Sequence, residues 1–304
     1  MAKPRSFYVD QEQPGFYHIT SRCVRQLWLM GTDKRTGKNY NHRKDVLLDR
    51  IKHLSRFFAV NIYAYAIMSN HFHLVIRYDP KACEAWSDEE VARRWCAAFN
   101  GLPFEKTLYG PTELDEFNLT QSIRYHDILL DPERLQRCRK NLGSVSKFMK
   151  HVKQPFAVWV NKEEGCKGHV FESRFYSGAL LTEQDIMACM GYVDLNPVEA
   201  KMVQTLKANK DTSINERLYK ERFNAKKLDA YLAPLWEDEE AIEAEKLPVL
   251  PYPLKHYADQ LNLAIIYYNR GPSTVLDKVD GWMAMILNRE RKKRSQDPAF
   301  FDYA

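Results

Sequence analysis

Ala66-Ile67-Met68-Ser69-Asn70-His71-Phe72-His73-Leu74-Val75-Ile76-Arg77 is the stretch on which the reading of the fold turns. Side chains of a β-strand alternate between faces, so His71 and His73 project from one side and Phe72 from the other. The apolar residues around them (Ile67, Phe72, Leu74, Val75 and Ile76) mark a strand buried deep in a sheet. Two imidazoles on one face can grip a single cation. The plain alternative is a pair of core histidines satisfied by hydrogen bonds.

On either side the pattern is regular. Phe16 to Arg22 alternates apolar and polar residues and predicts a first strand. Thr32 to Asn41 is polar with a glycine at Gly37, a loop. From His42 to Phe58 the apolar positions Val46, Leu47, Ile51, Leu54 and Phe58 keep helical spacing, with Arg43, Lys44, Arg50 and Lys52 on the opposite face. Val60 to Ala66 is tyrosine-rich and β-prone, and Ser69-Asn70 reads as the turn into the histidine strand. The opening is therefore strand, helix, strand, strand. Residues 79–138 break the pattern with a helix over Asp88 to Phe99 amid Gly/Pro-rich and acidic stretches, and read as an insertion.

Composition bounds the class. The 304 residues, 45% hydrophobic and 28% charged, suffice for one large domain or two smaller ones with a real core. No apolar run is long enough to span a bilayer, and Met1 to Phe7 lacks the apolar centre of a signal peptide. The six cysteines are scattered without a Cys-x-x-Cys pair, which fits a reducing cytoplasm better than a disulfide scaffold or zinc ribbon. Net charge is +5, unevenly spread. Residues 1–60 carry twelve Lys/Arg against five Asp/Glu, residues 139–181 eight against three, and residues 79–138 seven against twelve. Two basic blocks around an acidic one predict a positive face, the footprint of a polyanion partner.

Past the insertion, Val145, Phe148, Met149, Val152 and Phe156 keep helical spacing from Ser144 onward, with Lys147, Lys150 and Lys153 on the other side and a kink expected at Pro155. A glycine-bearing turn, Glu164 to His169, leads into a strand-like run, Val170 to Ser177. Thr182 to Leu195 predicts a helix opened by a capping box of Thr182 and Asp185, its apolar face formed by Ile186, Met187, Met190 and Val193. Tyr192 lies near its end and Asn196 one turn further on the same face, although Pro197 disfavours helical geometry at Asn196. Alone, Tyr192 reads as a core tyrosine and Asn196 as the N-cap of a following helix.

Taken together, Met68-Ser69-Asn70-His71-Phe72-His73 and Tyr192-Val193-Asp194-Leu195-Asn196-Pro197-Val198, the latter after a Gly-His-x-Phe-x-x-Arg-Phe run, resemble the Y1 (HUH) tyrosine transposases, IS200/IS605-like, and nearest the branch associated with repetitive extragenic palindromes (REP). The resemblance covers roughly residues 7–78 and 142–203. It implies an α+β fold, a ferredoxin-like antiparallel sheet with helices. The corresponding organisation is a catalytic domain over 1–203 with an insertion at about 79–141, and a helical C-terminal extension over 204–304.

The resemblance also implies a division of labour. His71, His73 and Asn196 would hold Mg²⁺ or Mn²⁺, and Tyr192 would attack phosphorus to leave a 5′-phosphotyrosine and a free 3′-hydroxyl. Tyr63, Tyr65 and Tyr176 also lie near the motifs, without the Tyr-x-x-x-Asn-Pro setting. The partner would be single-stranded DNA with a hairpin, bound by a monomer or homodimer. Arg43, Lys44, Arg50, Lys147, Lys150, Lys153, Lys167 and Arg174 are the candidate phosphate contacts. Beyond residue 203, Thr205 to Asn215 reads as a polar connector, Arg217 to Leu232 as a charged helix and residues 237–253 as a linker. Leu254 to Asn269 and Val275 to Leu287 read as two amphipathic helices before the basic cluster Arg289 to Arg294. Two other functions compete: a catalytically silent DNA-binding regulator of the same fold, and a histidine-motif nucleotide hydrolase. The last would want a further histidine where Val75 stands.

Overall fold

Alternating apolar residues in three segments and one short fourth segment give the sheet its strands: β1 (Gly15–Arg22), β2 (Val60–Ile67), β3 (His71–Tyr78) and β4 (Tyr176–Leu180). A computed structural model describes residues 9–10, 12–33, 35–99, 119–172, 174–208, 210–219, 232–233, 235, 252–270 and 275–296. The strands form one antiparallel sheet in the order β2-β3-β1-β4. Helix α1 (His42–Ser55) joins β1 to β2, and a tight turn joins β2 to β3. Between β3 and β4 run α2 (Asp88–Ala98), α3 (Leu119–Leu129), α4 (Pro132–Leu142) and α5 (Val145–Glu163). Without α2 to α4 this is the βαββαβ order of a ferredoxin-like sheet, with the histidine strand inside it.

The chain clusters into two units: residues 1–61, 68–72 and 76–179, and residues 62–67, 73–75 and 180–304. In the first, α1 packs on α5, and Phe58 and Phe148 meet edge to face at 5.6 Å. Beneath His71 and His73, Phe72 is fully buried, edge to face with Phe171 at 5.7 Å. The helix α5 holds its 19 residues with Pro155 inside. The expected strand over Val170 to Ser177 begins later. Before β4, Phe171 makes only an isolated bridge to Cys23, and left-handed Gly165 and Gly168 turn the chain.

The second unit is built on α6 (Glu183–Glu199), against which α8 (Leu254–Arg270) and α9 (Gly281–Gln296) pack. The approach to α9 is close: a Cβ on Gly191 would lie 2.5 Å from the Trp282 ring. The proline that was expected to end α6 does not. The helix passes Pro197 to Glu199, with Ala200 N–H still bonded to Asn196 O at 3.0 Å and Leu195, Pro197 and Val198 buried. Packing outweighs the one hydrogen bond a proline removes.

The supposed connector is structured too. Thr212 bridges Ala66 of β2, and α7 (Ser213–Leu218) follows with Ser213 to Arg217 buried. Its polar side chains are consumed by internal bonds, Asn215 Nδ2 donating to Leu206 O at 3.1 Å and Lys207 O at 3.0 Å. The second amphipathic helix starts at Gly281 rather than Val275. Most of the linker expected over 237–253 and most of the helix expected over Arg217 to Leu232 lie outside the described residues. Among those described, no helix is long and apolar enough to cross a membrane.

Candidate active site

The capping box read from Thr182 and Asp185 is formed. Asp185 N–H donates to Thr182 Oγ1 at 3.1 Å, and Thr182 N–H to Asp185 Oδ2 at 3.1 Å, so α6 starts where the sequence places it. Two and a half turns along stands Tyr192, half-buried, and one turn further Asn196, buried. Both meet His73 of β3. The rings of His73 and Tyr192 are edge to face with centroids 5.7 Å apart, and Asn196 Nδ2 lies 3.5 Å from His73 Nε2. A half-turn of the Asn196 amide puts its oxygen there instead. Two donors bound at about 2.1 Å to one ion stand roughly 3–3.5 Å apart, so an imidazole and an amide oxygen at this spacing fit a shared cation. Among the described residues no three His, Cys, Asp or Glu side chains gather as a ligand set. A site here depends on the amide.

His71 opens β3, half-buried, with Nδ1 2.6 Å from Asn70 Oδ1. With the proton on Nδ1, shared with Asn70 Oδ1, Nε2 is the acceptor nitrogen of the ring, the tautomer a ligand needs. Arg22, Gln26, Asn70 and His71 line a cleft of about 220 Å³. Its rim is built by an irregular turn. Arg25 and Gln26 hold φ of 54° and 55°, uncommon for residues other than glycine, and Asn70 O accepts from Cys23 N–H at 2.7 Å. The turn before His71 is wedged from the other side, since a Cβ on Gly31 would lie 2.3 Å from Ser69 Oγ. Sequence reading passed over Arg22, Gln26 and Asn70. The signal available was the amide directly preceding the first histidine.

A second omission lies between Tyr192 and Asn196. Asp194 points to the other side of α6 and is fully buried. It accepts from Ser213 Oγ at 2.7 Å, Ile214 N–H at 2.9 Å and Tyr257 Oη at 2.8 Å. Burial pushes its carboxyl up to about 6 despite those three donors. Ser213 Oγ in turn accepts from Tyr65 N–H at 3.2 Å, so α7 ties the helix of Tyr192 to β2. A carboxylate inside the apolar run Val193-Asp194-Leu195 was the visible clue.

The other tyrosines divide cleanly. Tyr63 and Tyr65 are fully buried, while Tyr176 is exposed on β4.

The basic residues need correcting. Arg43, Lys44 and Arg50 were expected on a polar outer face of α1, and all three are buried. The Arg43 guanidinium bonds Glu163 (2.9 Å), Glu164 and Leu29 O (3.1 Å), and lies 3.9 Å over the Tyr40 ring. Arg50 Nε donates to His151 O at 3.2 Å, and burial lowers its pKa to about 10. Arg43 and Arg50 thus reach the C-terminal carboxylates and a backbone carbonyl of the α5 segment rather than the outer face expected of them. Lys147, Lys150, Lys167 and Arg174 are exposed. Lys153 is half-buried, donates to Glu172 O at 3.0 Å, and shares with Lys150 and His169 a groove of about 500 Å³ beside Phe171 and Phe175. Side chains beyond Arg289 in the C-terminal basic cluster lie outside the described residues.

No family model and no curated protein matches the chain. Among solved structures it is similar to a REP-associated tyrosine transposase bound to a REP hairpin, at 12% identity over 79% of this chain and 96% of that one, with a TM-score of 0.40.

Proposed function

We propose that this protein cleaves and rejoins single-stranded DNA beside a hairpin, with Tyr192 as nucleophile and Mg²⁺ or Mn²⁺ held by His71, His73 and Asn196. The observation that carries the reading is the meeting of His73 with both Tyr192 and Asn196, residues more than a hundred positions away in the chain. A core histidine needs one partner; this one has an amide at ligand spacing and a phenol at its edge. His71 adds a second imidazole on the same face of β3, its ring oriented by the Nδ1 contact with Asn70.

When bound, the cation would neutralise a non-bridging phosphate oxygen as the pentavalent transition state forms, and two imidazoles suit Mn²⁺ better than Mg²⁺. The remaining work falls to the chain. Tyr192 Oη forms a bond to phosphorus as the bond from phosphorus to the 3′ oxygen breaks. The phenolic proton passes to water and the departing oxygen takes one up, leaving a 5′-phosphotyrosine and a 3′-hydroxyl. A phenol of pKa near 10 leaves readily when a 3′-hydroxyl attacks back, so strands rejoin without ATP. Arg22, at the cleft beside His71, is placed to counter the charge of the same phosphate.

The test is cleavage of a labelled hairpin oligonucleotide with Mn²⁺. Wild type should cut, and His71→Ala and His73→Ala should each lose cutting while keeping DNA affinity. Cutting that persists in excess chelator contradicts the metal role. DNA binding with no cutting under any divalent ion would favour the silent regulator.

A further inference from the structure

We infer that the loop after β3 and helix α4, together with the start of α5, build a second nucleic-acid contact, a basic cleft that grips the backbone of duplex DNA about seven base pairs from the phosphate seated at His71. This rests on the reading above for where the cut phosphate lies. The cleft, of about 880 Å³, opens where β3 ends at Tyr78. One wall is the loop after β3 with Lys81; the other is the end of α4 and the start of α5, with Arg137, Lys140 and Lys147. All four cations are exposed. Lys81 donates to a neutral partner, Gln13 Oε1 at 3.5 Å; among the described residues Lys140 and Lys147 form no ion pair, whereas Arg137 pairs with Glu133 at 3.4 Å and Asp131 at 3.9 Å. Glu12 and Glu84 also line the cleft, leaving it net positive.

The wall is rigid. Arg139 is spent on holding it, bonding the carbonyls of Cys83 and Trp86 and the Asp88 carboxylate at 2.7 Å, while Tyr78 Oη donates to Gly143 O at 2.6 Å. The first turn of α5 faces the same cleft and adds the positive end of a 19-residue helix. A polyanion fits such a lining; a small apolar ligand does not.

The strand sets the distance. His71 and Tyr78 bound an eight-residue strand, and seven rises of about 3.3 Å separate its ends by about 23 Å. Stacked base pairs rise about 3.4 Å each, so that span is about seven base pairs. A stem that starts at His71 and runs along β3 reaches Lys81 only when it is about seven base pairs or longer.

The experiment measures the affinity of full-length wild type and the double variant Lys81→Ala, Lys140→Ala for two hairpins with the same loop and single-stranded flank. Their stems have about 4 and about 12 base pairs, on either side of the span given by strand and base-pair rises. Anisotropy titrations run without metal at several salt concentrations, so no cleavage intervenes. The variant should bind the long stem at least about tenfold more weakly, with a salt slope lower by about 2, while short-stem affinity stays within about twofold. Equal loss on both stems, or loss on neither, overturns the cleft while leaving the cleavage reading intact. Wild type that binds neither hairpin overturns both.

Discussion

His73 is the residue at which the account is most exposed. Its imidazole is buried and has Asn196 at 3.5 Å and the Tyr192 ring at 5.7 Å. Asn196→Ala should lower Mn²⁺ affinity by about 10- to 100-fold, the scale seen when groups supporting a metal site are lost. Circular dichroism should show the fold retained, and calorimetric titration would read the affinity. Arg43 offers the opposite case, a cation drawn out of the functional list by burial. Arg43→Met should cost about 2–3 kcal/mol in urea unfolding, less than for a fully buried pair, because Glu163 and Glu164 keep about a third of their surface. The salt dependence of DNA binding should not change. That His71 and His73 share a strand face, and Tyr192 and Asn196 a helix face, was legible because alternation and helical spacing are local, whereas the role given to Tyr192 came from the resemblance alone. The burial of Arg43 was not legible, because its partners lie 120 and 121 residues away on another helix.

At the scale of elements, α6 matters most because it carries Tyr192 and is fixed on its far side. Tyr257→Phe removes one donor to Asp194 and should cost roughly 1–2 kcal/mol. If that contact orients α6, covalent adduct formation should slow more than hairpin binding weakens, and equal losses would make Tyr257 purely structural. The start of α6 could be read from its capping box. Its passage through Pro197 could not, since a proline rule is local and the apolar packing of Leu195 and Val198 is tertiary. The same holds for Ser213 and Asn215, whose polarity suggested solvent and whose side chains instead bond inward.

For the molecule as a whole, acid should act through buried histidine. His53 is 8% exposed, and burial with Arg50 nearby lowers its pKa from 6.5 to about 4. Between those values the unfolded chain holds more protons on His53 than the folded one, so stability falls as pH is lowered through the window, by about 3 kcal/mol from this group. Asp194 works the other way, its raised pKa favouring the fold at low pH. Comparing urea unfolding of wild type and His53→Gln at pH 7 and pH 4 removes that common contribution. The variant should lose less stability than wild type on acidification. The overall charge pattern was readable from the sequence, but part of its first basic block proved to be internal scaffolding. The most direct trial of the central claim is to trap the covalent adduct on a hairpin oligonucleotide with Mn²⁺, digest it and sequence the DNA-linked peptide. The account predicts the linkage at Tyr192, with no adduct from Tyr192→Phe, whose hairpin binding is retained. A linkage at Tyr176, or an adduct surviving that substitution, would contradict it.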